Sequence, residues 1–353
     1  MVKGVALITG ATGQDGSYLS EFLLERNYEV YAMVRRTSQP FRGRDLINHL
    51  IDNESYHLVN GDLTDQTSLN NMVSDIKPTE FYNLGAQSFV PESWRSPIST
   101  ADITALGALR CLEAIKLHAP SCRYYQAGSS EQFGKVYEVP QNEETPFYAR
   151  SPYGCAKVFA HDITRNYRES YDLFACTGIL FNHESPRRGI EFVTRKVSLS
   201  VSRIANGLQE CIEIGNVLAK RDWGYAGDYI EAMWLMLQQD KPEDFVVATG
   251  KTWSVQEMID IAFRSIGMDI EWEGSGIDTI ARDKEGNIRV KTSEAFFRPA
   301  EVDLLVGDYS KAKEVLGWEP KTSFEELIGM MVESDMQRTT EAVGKGISVP
   351  KVE

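Results

Sequence analysis

Residues 4–27 read GVALITGATGQDGSYLSEFLLERN. A short apolar run, residues 4–9, stops at a cluster of glycines, and apolar residues then return at helical spacing. This is a strand, a tight turn and a helix. Gly10, Gly13 and Gly16 fall in the turn, where glycine permits sharp chain reversal and lets an anionic group approach the backbone at a helix N-terminus. The spacing is G-x-x-G-x-x-G, and three glycines alone would also suit an ordinary turn. Their place directly after the first strand assigns them, with the intervening Thr12, Gln14 and Asp15, to a pyrophosphate-binding loop.

The rhythm repeats downstream. EVYAMV (29–34) precedes a polar loop and DLINHLID (45–52), YHLVN (56–60) precedes SLNNMVSDI, TEFYNLG (79–85) precedes ALGALRCLEAIKL, and CRYYQAGSS (122–130) and FACTGILFN (174–182) supply further strands. Strands alternating with helical segments predict an α/β protein with a Rossmann-type, doubly wound parallel sheet covered on both faces. After residue 181 the pattern loosens, with no long linker and no repeat. A smaller, interleaved α/β substrate-binding lobe is therefore expected. It would be built from roughly 182–217, 247–295 and 309–353, while 1–181 with roughly 218–246 and 296–308 form the dinucleotide domain.

Bulk properties narrow the field. The 353 residues carry a formal charge of −14, with 42% hydrophobic and 25% charged residues, so the chain is an ordinary folding sequence whose long-range field repels nucleic acids and anionic membranes. No run of about 18 apolar residues and no apolar leader occurs, which points to the cytosol. Cys111, Cys122, Cys155, Cys176 and Cys211 lack C-x-x-C spacing, and His49, His57, His118, His161 and His183 form no H-x-x-x-H pair, so free thiols and no metal are expected. The polar segment TTEAVGKGISVPKVE (339–353) is a candidate for disorder, and its pattern alone leaves its order open.

The end of the second strand reads MVRRTS. No carboxylate waits there for adenosine ribose hydroxyls, and Arg35 and Arg36 instead suit a 2′-phosphate, favouring NADP over NAD, with a solvated basic loop as the alternative. Asp62 and Leu63 are placed to meet the adenine, although Asp62 would also serve as a helix cap. Leu84, Gly85 and Ala86 follow the fourth strand where the cofactor must pass.

Tyr153 and Lys157, in SPYGCAK, share one helix face. A phenol ionises near pH ~10, so it needs a neighbouring ammonium and the cationic nicotinamide to act as a base near neutrality. A second Y-x-x-x-K, Tyr309 to Lys313, matches equally well but lacks the serines that Ser129 and Ser130 supply to the first. Glu131 adds a second base: a C4 ketone on a hexose acidifies C5, and a carboxylate there lets the C6 hydroxyl leave as water. A surface or capping glutamate is the bland alternative. Ser88 and Glu184 are candidates for sugar hydroxyls. Arg187, Arg188, Lys196, Arg221 and Arg298 are candidate cations for a diphosphate.

In order and spacing, TGATGQDGSYL, NGDLTD, YNLGAQS, SSE, SPYGCAK, FNHESPRRG and RPAEVD resemble the bacterial-type GDP-mannose 4,6-dehydratases of the extended short-chain dehydrogenase/reductase superfamily, over nearly the whole chain. The resemblance implies a lyase acting on GDP-mannose through NADP, with a serine, tyrosine and lysine (Ser129, Tyr153, Lys157) and an adjacent Glu131. Serine stands where the family usually has threonine, which keeps the hydroxyl and frees the rotamer. It implies that Asn182, Lys196, Gly215, Arg221, Arg298 and Glu301 line the GDP-sugar pocket, with His183 and Arg188 nearer the cofactor. It also implies a homo-oligomer, dimer or tetramer, in which Arg35 reaches a neighbouring subunit. Another nucleotide-sugar dehydratase, a bifunctional dehydratase/4-reductase and a non-catalytic NADP-binding regulator are the other readings.

Overall fold

A computed structural model describes residues 3–36, 43–296 and 304–351. Seven parallel strands form the main sheet: β1 (Val5–Thr9), β2 (Glu29–Val34), β3 (Tyr56–Asn60), β4 (Glu80–Asn83), β5 (Arg123–Ala127), β6 (Ala175–Leu180) and, later in the chain, Phe245–Val247. Their spatial order places β3, β2 and β1 on one side of a reversal and β4, β5, β6 and Phe245–Val247 on the other. The reversal lies between β1 and β4, so the loops leaving these two strands open a crevice at the C-terminal edge of the sheet. All residues of β4 and β6 are buried, as covering on both faces requires.

Helices α1 (Gln14–Leu24), α2 (Gln66–Ile76), the short α3 (Val90–Arg95) and α4 (Pro97–Thr100), α5 (Gly107–His118) and α6 (Pro152–Tyr171) follow in order. One face of the sheet packs on α2, α5 and α6 around Leu7, Phe81, Leu112 and Tyr124. The other packs on α1 and on a later helix around Ile8, Tyr229 and Trp318. Helix starts follow local chemistry: Asp65 caps α2 by accepting from the Thr67 amide, and Ser151 caps α6 by accepting from Gly154 ahead of Pro152 in the first turn.

The remaining elements are β7 (Asn182–Glu184), α7 (Val193–Ala205), β8 (Ile212–Ile214), β9 (Lys220–Arg221), β10 (Trp223–Tyr225), α8 (Ala226–Gln238), β11 (Phe245–Val247, the seventh strand above), β12 (Trp253–Ser254), α9 (Val255–Arg264), β13 (Ile270–Glu273), β14 (Ile280–Asp283), β15 (Ile288–Thr292) and α10 (Phe324–Gly344). A four-stranded sheet, β13-β14-β15-β8, and helices α7, α9 and α10 enclose a second core around Val201, Ile259, Phe263 and Met331.

Two expectations need correction. DLINHLID forms a single 3-10 turn, Asn48–Leu50, not a longer helix, because only Ile47 and Leu50 reach the core. The segment from Thr339 is not a free tail. It continues α10 to Gly344 and is then tied to Arg203, whose Nη1 donates to the carbonyls of Val349 and Pro350 at 3.0 Å each.

Candidate functional site

The crevice at the β1/β4 reversal is a cavity of about 510 Å³. Gly10 takes a φ of +69°. A Cβ on Gly16 would lie 2.4 Å from the Gly10 carbonyl oxygen, and one on Gly10 would lie 2.8 Å from the Gly85 amide. These two glycines therefore let β1, α1 and the loop after β4 close on one another. Gly13 at the start of α1 offers no side-chain cap, so the first-turn amides remain for an anion.

Gly10, Thr12, Gly13, Gln14, Asp15, Gly16, Arg35, Asp62, Leu63, Leu84, Gly85, Ala86, Ser88, Tyr153, Lys157 and His183 all line this cavity. Met33, Val34, Gln87, Ile103, Ala127, Gly128 and Leu180 line it too, without having been singled out in the sequence. Gln87 stood within the quoted YNLGAQS, whereas Ile103 has no local signal: it is presented by a π-helical turn, Ala101–Leu106, between α4 and α5. The same turn holds Thr104, whose Oγ1 accepts from the Gln87 amide at 3.2 Å. Gln87 Oε1 is buried with no hydrogen-bond partner among the described residues. A long, glycine-cradled crevice with capless helix amides and an unsatisfied amide oxygen suits a dinucleotide.

Asp62 does not cap α2; Asp65 does. Its carboxylate accepts instead from the Thr64 amide at 2.9 Å and hydroxyl at 2.8 Å. Arg36 is exposed and does not line the cavity.

At the other end, α6 carries Tyr153 and Lys157 into the crevice. Both are buried, and Lys157 Nζ donates to the Ala127 carbonyl at 2.6 Å, fixing α6 to the end of β5. Burial lowers the Lys157 ammonium to about 8, opposed by the charge of Asp15. Burial also raises the Tyr153 phenol to about 12; a hydrogen bond from Ser129 and the charge of Arg188 pull it down, while Glu131 and Asp15 push it up. The lowered phenol expected from the sequence is therefore not something the chain supplies alone, because desolvation outweighs the nearby cations. Ser129 opens a 3-10 turn, Ser130–Gln132, through a capping box with Gln132, and its Oγ accepts from the Glu131 amide at 3.3 Å. Glu131 lies in this turn and its charge raises the Tyr153 phenol; Ser129, Ser130 and Glu131 are not among the residues that line the cavity. Tyr309 and Lys313, in contrast, are occupied elsewhere: Tyr309 stacks edge-on to Trp318 and Lys313 pairs with Glu319.

Asp15 and His183 join the glycine loop to β7. His183 Nε2 lies 2.9 Å from Asp15 Oδ2 and Nδ1 donates to the Phe181 carbonyl at 2.7 Å, while the ring stacks on Tyr229. Gln14 bridges the same gap, donating to the His183 carbonyl and accepting from Ser185. Burial acts against both charges, but the His183 cation and hydrogen bonds hold Asp15 down at about 2, and Asp15 raises His183.

The substrate candidates divide. Glu184 is buried and bonded to Thr194 and, at 3.0 Å, to Arg188, so it is not available to sugar hydroxyls. Arg187 turns to α1, donating to Ser17 and Glu21. Arg188 lies over the Phe192 ring rather than in the cavity wall. Asn182 sits on β7 next to His183, pairing with Trp223 of β10. Arg221 lies on β9 opposite Trp253. Lys196 faces a second cavity of about 480 Å³, its ammonium 3.4 Å from the Phe296 ring centroid. Gly215 abuts Phe296: a Cβ there would lie 2.3 Å from the Phe296 carbonyl oxygen. Arg298 and Glu301 lie outside the described residues.

The model of the family described as GDP-mannose 4,6 dehydratase matches residues 7–331. The chain is 54% identical to the GDP-mannose 4,6 dehydratase of Cricetulus griseus, over 95% of this chain and 92% of that protein. It is 50% identical to the GDP-mannose 4,6-dehydratase of Yersinia enterocolitica, over 94% of each. Among solved structures, dTDP-glucose 4,6-dehydratase from Bacillus anthracis in complex with NAD superposes with a TM-score of 0.78 at 20% identity, covering 95% of this chain and 97% of that one. The protein called RMD from Pseudomonas aeruginosa, complexed with NADPH, does so with a TM-score of 0.74 at 20% identity, covering 95% and 100%. At such identities these two structures speak to the fold.

Proposed function

The chain belongs to the GDP-mannose 4,6-dehydratase family, and from that premise we propose that it converts GDP-mannose to GDP-4-dehydro-6-deoxy-mannose and water, with NADP held in the cavity at the β1/β4 reversal. The observation that supports the reading most is Glu131 in the same turn as Ser129, its charge acting on the Tyr153 phenol, since an alcohol dehydrogenase has no need of that second carboxylate.

Tyr153 takes the proton of the C4 hydroxyl, with Ser129 hydrogen-bonded to the same oxygen and Lys157 anchoring the helix. Gly10, Gly13, Gly16 and Arg35 would hold the dinucleotide, which when bound would supply the hydride acceptor for C4, the hydride donor for C6 and a positive charge that favours the ionised phenol. Glu131 removes the C5 proton, acidified by the C4 ketone, and passes it to the C6 hydroxyl, which departs as water; as hydride reaches C6, C5 takes up the proton that Tyr153 received from the C4 hydroxyl. Oxidation at C4 and reduction at C6 cancel, so no external reductant is consumed. Arg35 at the cavity wall, with no carboxylate at the end of β2, supports the 2′-phosphate of NADP over NAD.

Ile98, Leu106 and Phe159 are exposed on α4, the turn after it and α6, elements that pack on one another, and this supports a homo-oligomer joined there. The test of the reaction is mass spectrometry of GDP-mannose incubated with the holoenzyme and no added reductant. Loss of one water by the parent, absent in Glu131→Gln, is expected; water loss undiminished in Glu131→Gln removes the base from the mechanism, and inert GDP-mannose removes the substrate.

A further inference from the structure

Arg203, on α7, is buried, lines the second cavity and uses four of its guanidinium N–H groups to hold two chain segments together. Nε donates to Gln209 Oε1 at 3.0 Å and Nη2 to the Leu208 carbonyl at 3.1 Å, which fixes the turn after α7. Nη1 donates to the Val349 and Pro350 carbonyls at 3.0 Å. The segment after α10 is thus brought back across α7 by an interior cation, and the next residue, Lys351, lines the cavity that Lys196 faces.

That cavity has the electrostatics of an anion site. Lys196 is 9% exposed and meets no carboxylate in an ion pair among the described residues; its neighbours there are the Phe296 ring and Glu213. Glu213 is itself bound to Lys291 at 2.9 Å. Burial lowers the Lys196 ammonium to about 8, and an arriving anion would favour its charged form. In a chain of net charge −14, an anionic ligand requires such a local concentration of positive charge.

We propose that residues 349–351 are a strap that completes the nucleotide side of the substrate site, with Arg203 as its clamp and Lys351 as a second cation, beside Lys196, for the diphosphate of a nucleoside diphosphate sugar. This rests on the nucleotide-sugar reading above. The strap binds the invariant part of the substrate, away from the reacting carbons, so it governs affinity and not the chemical step.

The experiment is calorimetric titration of the holoenzyme with GDP, together with kcat and KM for GDP-mannose, on the parent, on Lys351→Gln and on a chain ending at Ser348. Lys351 is exposed, so its substitution leaves the fold intact. Dissociation constants for GDP are expected to rise about threefold in Lys351→Gln and about tenfold in the truncated chain. KM should rise in parallel while kcat stays within about twofold. GDP affinities unchanged in both variants would overturn the strap, as would a kcat that falls with KM constant. A parent that binds GDP but releases no water from GDP-mannose fails the proposed reaction alone, because the GDP affinities still judge the strap; a parent that binds no GDP overturns both.

Discussion

The imidazole Nε2 of His183 lies 2.9 Å from Asp15 Oδ2, and this one contact ties the first loop of the chain to the strand that leaves β6. Its strength follows pH in a defined sense. Asp15 is lowered from 3.8 to about 2, so its contribution is present above 3.8 and is lost as pH falls through about 2. His183 is raised above 6.5, so its contribution is complete below 6.5 and is lost as pH rises through the folded value. The window common to both runs from about 4 to 6.5. Asp15→Asn is expected to lower stability by roughly 2 kcal/mol in urea denaturation at about pH 5, and by clearly less at about pH 8.5. An equal deficit at both would remove the ion pair as its cause.

Lys157 presents the opposite case. Its folded value of about 8 lies below the ordinary 10.5, so the folded chain binds the proton more weakly than the unfolded one and gains stability as pH rises from about 8 towards 10.5. Lys157→Met removes the penalised charge and also the bond to the Ala127 carbonyl. The variant is expected to be about 1–2 kcal/mol more stable than the parent at pH 7, an advantage that disappears near pH 10, and to lose at least ~10²-fold in kcat. Paired thermal melts across that range and a steady-state assay decide it.

Arg35 lines the crevice whereas Arg36 beside it does not. Arg35→Ala should weaken NADP binding by about tenfold or more and leave NAD affinity nearly unchanged, with Arg36→Ala the milder of the two. Fluorescence titration with each dinucleotide measures this. Equal losses for both dinucleotides would detach Arg35 from the 2′-phosphate.

The parts legible in the sequence were those set by local pattern. Strand, glycine turn and helix at 4–24, and the four-residue spacing of Tyr153 and Lys157 on one helix face, depend on periodicity and on the shape of glycine, and they appear in the fold as read. What escaped were choices of partner. Nothing near Glu184 announces Thr194 and Arg188, nothing near Arg187 announces Ser17 and Glu21, and nothing in residues 349–350 announces Arg203. A charged side chain carries the same letter whether it is held by a distant carbonyl or offered to a ligand. DLINHLID failed for a different reason: too few apolar positions recur for tertiary packing to support more than one turn.

The seventh strand of the main sheet, Phe245–Val247, pairs with β6, although α7, β8 and α8 are all synthesised between them. During translation the outer rim of β6 must therefore wait, its amides and carbonyls unmatched, until that late segment emerges. The small sheet waits longer still, since β8 is paired in parallel with β15. A nascent chain of this protein is thus exposed to edge-to-edge association while the segments between β6 and β15 are being made, and yield in cells should depend on chaperone supply more than the stability of the finished fold would suggest.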